Sequence, residues 1–167
     1  FPEALTVHRL DMATSGLMVF ARGEAMQRAL SVLFQDRQVD KRYVAVVKGL
    51  LAQDQGEIDL PLSADWPNRP RQMVCFERGK PSQTRYEVLA RDLDQGETRV
   101  ALTPITGRSH QLRVHMLALG HPMLGDPFYG DADSQARAPR LLLHAAALSL
   151  THPQTGERMH WASAPPF

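Results

Sequence analysis

The chain has 167 residues, 43% of them hydrophobic and 22% charged, with a formal net charge of +1. That length suits one domain with a sizeable core, and the composition is that of an ordinary folded protein. It excludes a disordered tail, a disulfide scaffold (Cys75 is the only cysteine) and a chain whose overall basicity would announce nucleic acid by itself. No apolar run approaches the ~18 residues of a membrane span, and "FPEALTVHRL" lacks the basic start and apolar core of a signal peptide. The expected setting is the reducing cytoplasm, with no membrane association.

The opening stretch "VHRLDMATSGLMVFARG" (7–23) places Arg9 and Asp11 two positions apart, before a polar turn and an apolar run. The pair is either a structural ion pair or the reacting part of a site, and spacing alone favours an Asp that caps the turn. "LMVFAR" (17–22) reads as a buried strand. Met26, Ala29, Leu30, Leu33 and Phe34 recur at helical spacing and predict an amphipathic helix over 24–36. "KRYVAVVKG" (41–49) is rich in β-branched residues and predicts a strand. Residues 50–82 are irregular, and the prolines of "DLPLSADWPNRPRQ" suit a loop or an edge excursion.

Strands are predicted over 82–91 and 98–105. The turn signal "DLDQGE" between them predicts a hairpin. "RSHQLRVHMLALG" (108–120) predicts a helix with Leu112, His115, Met116 and Leu119 on one face and Gly120 as its stop. Two final strands, 140–150 and 157–164, flank the turn "HPQTG". Many strands with two good helices predict an α+β domain built on a mixed, mainly antiparallel sheet.

Three basic clusters could meet phosphates: "NRPRQMVCFERGK" (Arg69, Arg71, Arg78, Lys80), "GRSHQLRVH" (Arg108, Arg113) and "ARAPR" (Arg137, Arg140). Trp66, Phe76, Phe128 and Tyr129 lie among or near them, and aromatic faces stack on unpaired bases. The bland alternative is a solvated mixed surface, since Asp65 and Glu77 share the first stretch. Seven histidines invite a metal reading, with His110, His115 and Asp126 as ligands of a hydrolase. His110 and His115 are five apart, however, not the four that aligns two ligands on one helical face. No metal site is expected. Neither a G-x-S-x-G elbow nor a phosphate-binding glycine loop occurs.

The segment "HRLDMATSG" (8–16) with its following apolar run resembles the signature H-R-L-D-x-x-T-S-G of the RluA family of pseudouridine synthases. "KRYVAVVKG" resembles that family's K-x-Y-x-A-x-V-x-G block, and "GRSHQLRVH" its G-R-[ST]-H-Q-[IL]-R-x-H block. "LGDPFYG" (124–130) and "LLLHA" (141–145) resemble later elements, so the resemblance covers essentially the whole chain. Residues 59–88 are most similar to the branch acting on both ribosomal and transfer RNA. The resemblance implies a pseudouridine synthase catalytic domain over 1–167, lacking the strand block that usually precedes H-R-L-D. It implies an isomerase that acts on structured RNA as a monomer, without cofactor.

Roles follow from the resemblance position by position. Asp11 matches the catalytic aspartate, Tyr43 the catalytic tyrosine that stacks on the target base and is a candidate for the proton transfer, and Arg113 the cation paired with the aspartate. Leu112 packs beside the base, and Arg9 enters the RNA as the base leaves its stack. Arg108, His110, Arg69 and Arg71 are the further substrate-binding candidates. The alternative from another class is a non-catalytic RNA-binding domain, which would share the basic clusters but have no use for an ionised Asp11.

Overall fold

The computed structural model describes all residues, Phe1–Phe167. In chain order its elements are β1 (Ala4–Thr6), β2 (Ser15–Gly16), β3 (Phe20–Arg22), α1 (Glu24–Gln35), β4 (Asp40–Lys48), β5 (Gln55–Asp59), β6 (Leu62–Ala64) and β7 (Gln72–Val74). They continue with β8 (Gln83–Asp92), β9 (Glu97–Pro104), α2 (Gln111–Ala118), α3 (Ala132–Ala136), β10 (Leu143–Thr151) and β11 (Arg158–Ala162). No helix is long and apolar enough to cross a membrane.

Val44, Ala45, Val46 and Val47 of β4 are all buried. Side chains alternate between faces along a strand, so a continuous buried run means that both faces are covered. β4 accordingly lies inside the principal sheet, whose order is β11-β10-β4-β9-β8-β5. These strands are antiparallel, and β2 adds a short parallel pairing to β10. The α+β class with a mixed, mainly antiparallel sheet is therefore observed. The hairpin predicted around "DLDQGE" forms as β8 and β9, and β10 with β11 is the second predicted strand pair.

Ala45 and Val47 point into the main core with Val100, Leu102, Leu112, Met116, Met123, Leu141 and Leu143. Helix α2 closes this core, and its residues Gln111 to Met116 are all buried. Helix α1 covers a second core made by Ala21, Leu30, Val39, Leu148 and Leu150. A third, smaller cluster of Leu62, Val114 and Tyr129 fastens the β6–β7 hairpin to the other side of α2.

Three expectations need correction. The run 17–22 is not one buried strand. Residues 17–19 lie in no strand, between β2, which pairs with β10, and β3 (Phe20–Arg22), which pairs with β1, and only Ala21 within the run is buried. The cause is Gly16, at φ +110°, where a Cβ would stand 2.3 Å from the Ala145 carbonyl oxygen. That close approach bends the chain and is open only to glycine. Helix α2 starts at Gln111 rather than at 108, because His110 has φ +53° and the residues before it form a turn. The irregular stretch 50–82 contains three short strands, β5, β6 and β7.

Candidate active site

The signature segment is held by bonds that leave the Asp11 carboxylate free. The Asp11 main-chain carbonyl accepts the Thr14 N–H at 2.9 Å, so the turn is closed by backbone and not by the side chain. The Ser15 hydroxyl bonds His144 Nδ1 at 2.8 Å and accepts from Arg140 at 2.6 Å, which pins β2 against β10. The His8 Nε2 accepts the Val19 N–H at 2.9 Å, and the ring stacks on Phe34 at 4.3 Å. Burial, then the charge of Lys41, lowers His8 to a pKa of about 4, which keeps it an acceptor. Arg9 is exposed and forms no ion pair, so the Arg9–Asp11 pair is not a structural salt bridge.

The carboxylate meets Arg113 instead. Arg113 Nη1 donates to Asp11 Oδ2 at 3.2 Å across 102 residues of chain. The guanidinium is 2% exposed and the Asp11 side chain 19%. Arg113 has a second, tighter partner. Its Nε and Nη2 donate to the two oxygens of Asp126 at 2.8 and 2.6 Å. Asp126 is fully buried, and its Oδ1 also accepts the N–H groups of Phe128 and Tyr129. Burial opposes the Arg113 charge, but the two carboxylates outweigh it and raise its pKa. One buried cation thus serves two anions, one locked and one facing the cleft.

Asp126, a metal ligand in the hydrolase alternative, has other work in the structure. Its oxygens are committed to Arg113, while His115 is bonded to Thr84 Oγ1 and the Leu60 carbonyl. The three residues of the hydrolase alternative are not brought together as a ligand set.

The turn before α2 brings His110 and Arg108 to the cleft. Gln111, a residue not singled out by sequence, organises it. Its Oε1 accepts from the Thr106 hydroxyl and the Arg108 N–H, and its Nε2 donates to the Gln83 carbonyl and Thr84 Oγ1. His110 Nε2 lies 3.9 Å from Asp11 Oδ1, and its Nδ1 lies 2.7 Å from the Tyr129 hydroxyl. Burial is the main cause that lowers the His110 pKa, with Asp11 acting the other way.

The cleft has a volume of about 160 Å³ and is lined by Arg9, Asp11, Tyr43, Arg108, His110, Leu112 and Arg113, together with Lys41 and Leu143. Tyr43 reaches it because β4 alternates. Tyr43 and Lys41 share a face, and Tyr43 pairs laterally with Ala145, the residue paired to Gly16. Burial and then the charge of Asp11 push the Tyr43 hydroxyl up to about 12, so it stays protonated. Lys41 carried no expected role. Its place two residues before Tyr43 was the signal.

Arg69 and Arg71 do not line this cleft. They sit at the tip of the β6–β7 hairpin, where Arg69 stacks on exposed Trp66 at 3.5 Å from the ring centre. Arg9, Arg69, Arg71, Arg78, Lys80 and Arg108 meet no carboxylate, whereas Arg22, Arg42, Arg85, Arg91 and Arg158 each do. Asp65 takes an Asn68 hydrogen bond rather than neutralising its basic neighbours. The third basic cluster is structural. Arg137 pairs with Glu97, and Arg140 holds Ser15.

A mixed sheet carrying an arginine-held aspartate in a cleft lined by basic side chains has the form of an RNA pseudouridine synthase, an isomerase. Residues 2–118 match the family described as RNA pseudouridylate synthase. The dual-specificity RNA pseudouridine synthase RluA of Yersinia pestis is 60% identical over 161 residues, covering 96% of this chain and 78% of that protein. The protein of the same name from Escherichia coli K12 is 55% identical over 167 residues, covering 100% of this chain and 76% of its own length. The solved structure of human RNA pseudouridylate synthase domain containing 1 superposes with a TM-score of 0.89 at 32% identity, over 100% of this chain and 71% of that one. The chain belongs to the RluA family of RNA pseudouridine synthases.

Proposed function

We propose that residues 1–167 form the catalytic domain of a synthase that converts specific uridines of structured ribosomal and transfer RNA to pseudouridine, with Asp11 as its catalytic carboxylate. The observation that carries this reading is the buried Arg113, whose Nη1 donates to the Asp11 carboxylate at the cleft. Two relatives named for dual specificity support both RNA classes. The same reading has the domain acting as a monomer, and the lone Cys75 fits the cytoplasm.

The reaction breaks the bond from C1′ to N1, turns the base and joins C1′ to C5. An ionised carboxylate serves it by adding to C1′ or to C6 of the ring, or by taking the 2′-hydrogen. Each route requires the charge that Arg113 stabilises. Tyr43 supplies a neutral face for the base and Leu112 an apolar wall. The base must leave its stack at a cost of roughly a few kcal/mol. Arg9 fills the space it vacates, while phosphate contacts of Arg108, Arg69 and Arg71 offset the cost, with His110 beside the base.

The test is to incubate the purified protein with unmodified ribosomal and transfer RNA and map pseudouridine in each. New pseudouridine in both is expected. Tight binding of both RNAs with no pseudouridine in either would overturn the reading in favour of a binding domain.

A further inference from the structure

The hydroxyl of Tyr129 has two partners, and together they fix where its proton goes. Gln72 N–H donates to it at 2.8 Å, and His110 Nδ1 lies 2.7 Å away. Tyr129 is 8% exposed, so its own O–H must find an acceptor within the protein. Gln72 offers only a donor there, which leaves His110 Nδ1 as the acceptor. A neutral imidazole that accepts at Nδ1 carries its hydrogen at Nε2.

The ring cannot easily turn away from this arrangement. His110 stacks on Phe128 at 5.8 Å and meets Tyr129 edge-on at 5.6 Å. Its backbone is in the left-handed region at φ +53°, the junction that starts α2. Nε2 then faces the cleft, 3.9 Å from Asp11 Oδ1. That separation is too long for a hydrogen bond, so the Nε2–H remains available to a ligand.

We propose that Tyr129 is a positioning residue that holds His110 in its Nε2–H form, so that His110 donates a hydrogen bond to a carbonyl oxygen of the target uracil. This rests on the reading of the Asp11 cleft as the isomerase site. Breaking C1′–N1 leaves the electron pair of that bond on the ring, and the charge spreads onto its carbonyl oxygens. A donor already aimed at one of them stabilises that charge without reorganising. The imidazole gives a hydrogen bond here and no proton, so it stays neutral throughout. A neutral donor has a further advantage over an imidazolium, which would be drawn to Asp11 and compete with Arg113 for it. Nothing in the motif "GRSHQLR" shows this, because Tyr129 stands 19 residues away in the "DPFYG" turn.

The test combines nitrogen NMR with kinetics. In protein labelled with ¹⁵N-histidine, long-range ¹H–¹⁵N spectra near neutral pH should show His110 protonated at Nε2 and bare at Nδ1, the signal being assigned by its loss in His110→Gln. In Tyr129→Phe the ring and packing persist but the donor to Nδ1 is gone, and the Nδ1–H form should rise. Turnover should drop about tenfold with little change in KM for RNA, as expected for a contact that strengthens only in the transition state.

The variants His110→Gln and His110→Asn supply an independent arm. The Gln amide nitrogen can stand near Nε2 and that of Asn near Nδ1, so Gln should retain about tenfold more activity. Asn is the residue better tolerated at a positive φ, so backbone strain works against that order and cannot produce it. A His110 protonated at Nδ1 in the unaltered protein would overturn the proposal. So would an unchanged tautomer in Tyr129→Phe, or Asn outperforming Gln. The spectra read the tautomer whether or not the protein turns over, so a failure of the isomerase reading is seen separately.

Discussion

Asp126→Asn should destabilise the fold far more than Asp11→Asn, although both remove one of the two carboxylates that share Arg113. Asp126 is fully buried, accepts two bonds from the guanidinium at 2.8 and 2.6 Å, and accepts two main-chain N–H groups besides. Both oxygens accept from the guanidinium, so an Asn there sets its NH₂ against Arg113 in either flip, donor facing donor, and in one of them against the two main-chain N–H groups as well. Removing one partner of a buried ion pair costs about 3–5 kcal/mol. Asp11 still balances the Arg113 charge, so the lower end applies, about 3 kcal/mol. For a chain of this size that corresponds to a fall in Tm of roughly 6–12 °C. Asp11→Asn removes only the 3.2 Å bond of a partly exposed carboxylate, and the Asp126 fork remains. Its cost should be about 0–1 kcal/mol. Urea unfolding of the three proteins at pH 7 measures the difference. Equal stabilities, or a less stable Asp11→Asn, would refute the division of labour between a locked and a working carboxylate.

Tyr43→Phe keeps the ring face. RNA binding should be retained, and turnover should fall about a hundredfold or more only if the hydroxyl passes a proton. Because burial and Asp11 hold Tyr43 at about 12, the unaltered protein should show no loss of activity from its ionisation up to pH 10. Arg69→Ala with Arg71→Ala should weaken RNA binding and flatten its dependence on salt, read as the slope of log Kd against log salt. An unchanged slope would remove the hairpin tip from the RNA interface. His8 binds its proton near pH 4 when folded and near 6.5 when unfolded. Its contribution is therefore fully present above about pH 6.5 and is lost as the pH falls toward 4. His8→Gln can still accept from Val19 but does not titrate, so the difference in stability between the two proteins should change between pH 7 and pH 4.5.

What the sequence disclosed follows physical range. The β4 strand, helix α1 and the β8–β9 hairpin are written in local signals: a β-branched run, an apolar stripe and a polar turn with Gly96. β5 escaped because "QGEID" at the sheet edge has one apolar residue, Ile58, and its neighbours stay half-buried or exposed. α3 escaped as five residues capped by Asp131. The run 17–22 misled because apolar composition does not reveal that Gly16 must lie against Ala145. At the site, Asp11 and Arg113 could be joined across 102 residues only through the family motif, since spacing alone favoured a turn cap. The pairing of Asp126 with Arg113 and of Tyr129 with His110 stayed hidden for the converse reason. An isolated acid and an isolated tyrosine in a turn have no local pattern that names their partners, and their importance is set by Arg113 and His110 arriving from α2.

Release of hydrogen from C5 tests the central claim most directly, because joining C1′ to C5 must expel the hydrogen that uridine carries there. RNA tritiated at uridine C5 should release label to water when the protein is added, with no nucleotide or redox cofactor and undiminished by a chelator. Asp11→Ala and Asp11→Asn should release none while still binding the RNA, since phosphate contacts set most of the affinity. An Asp11→Ala protein that released tritium at the unaltered rate would contradict the account.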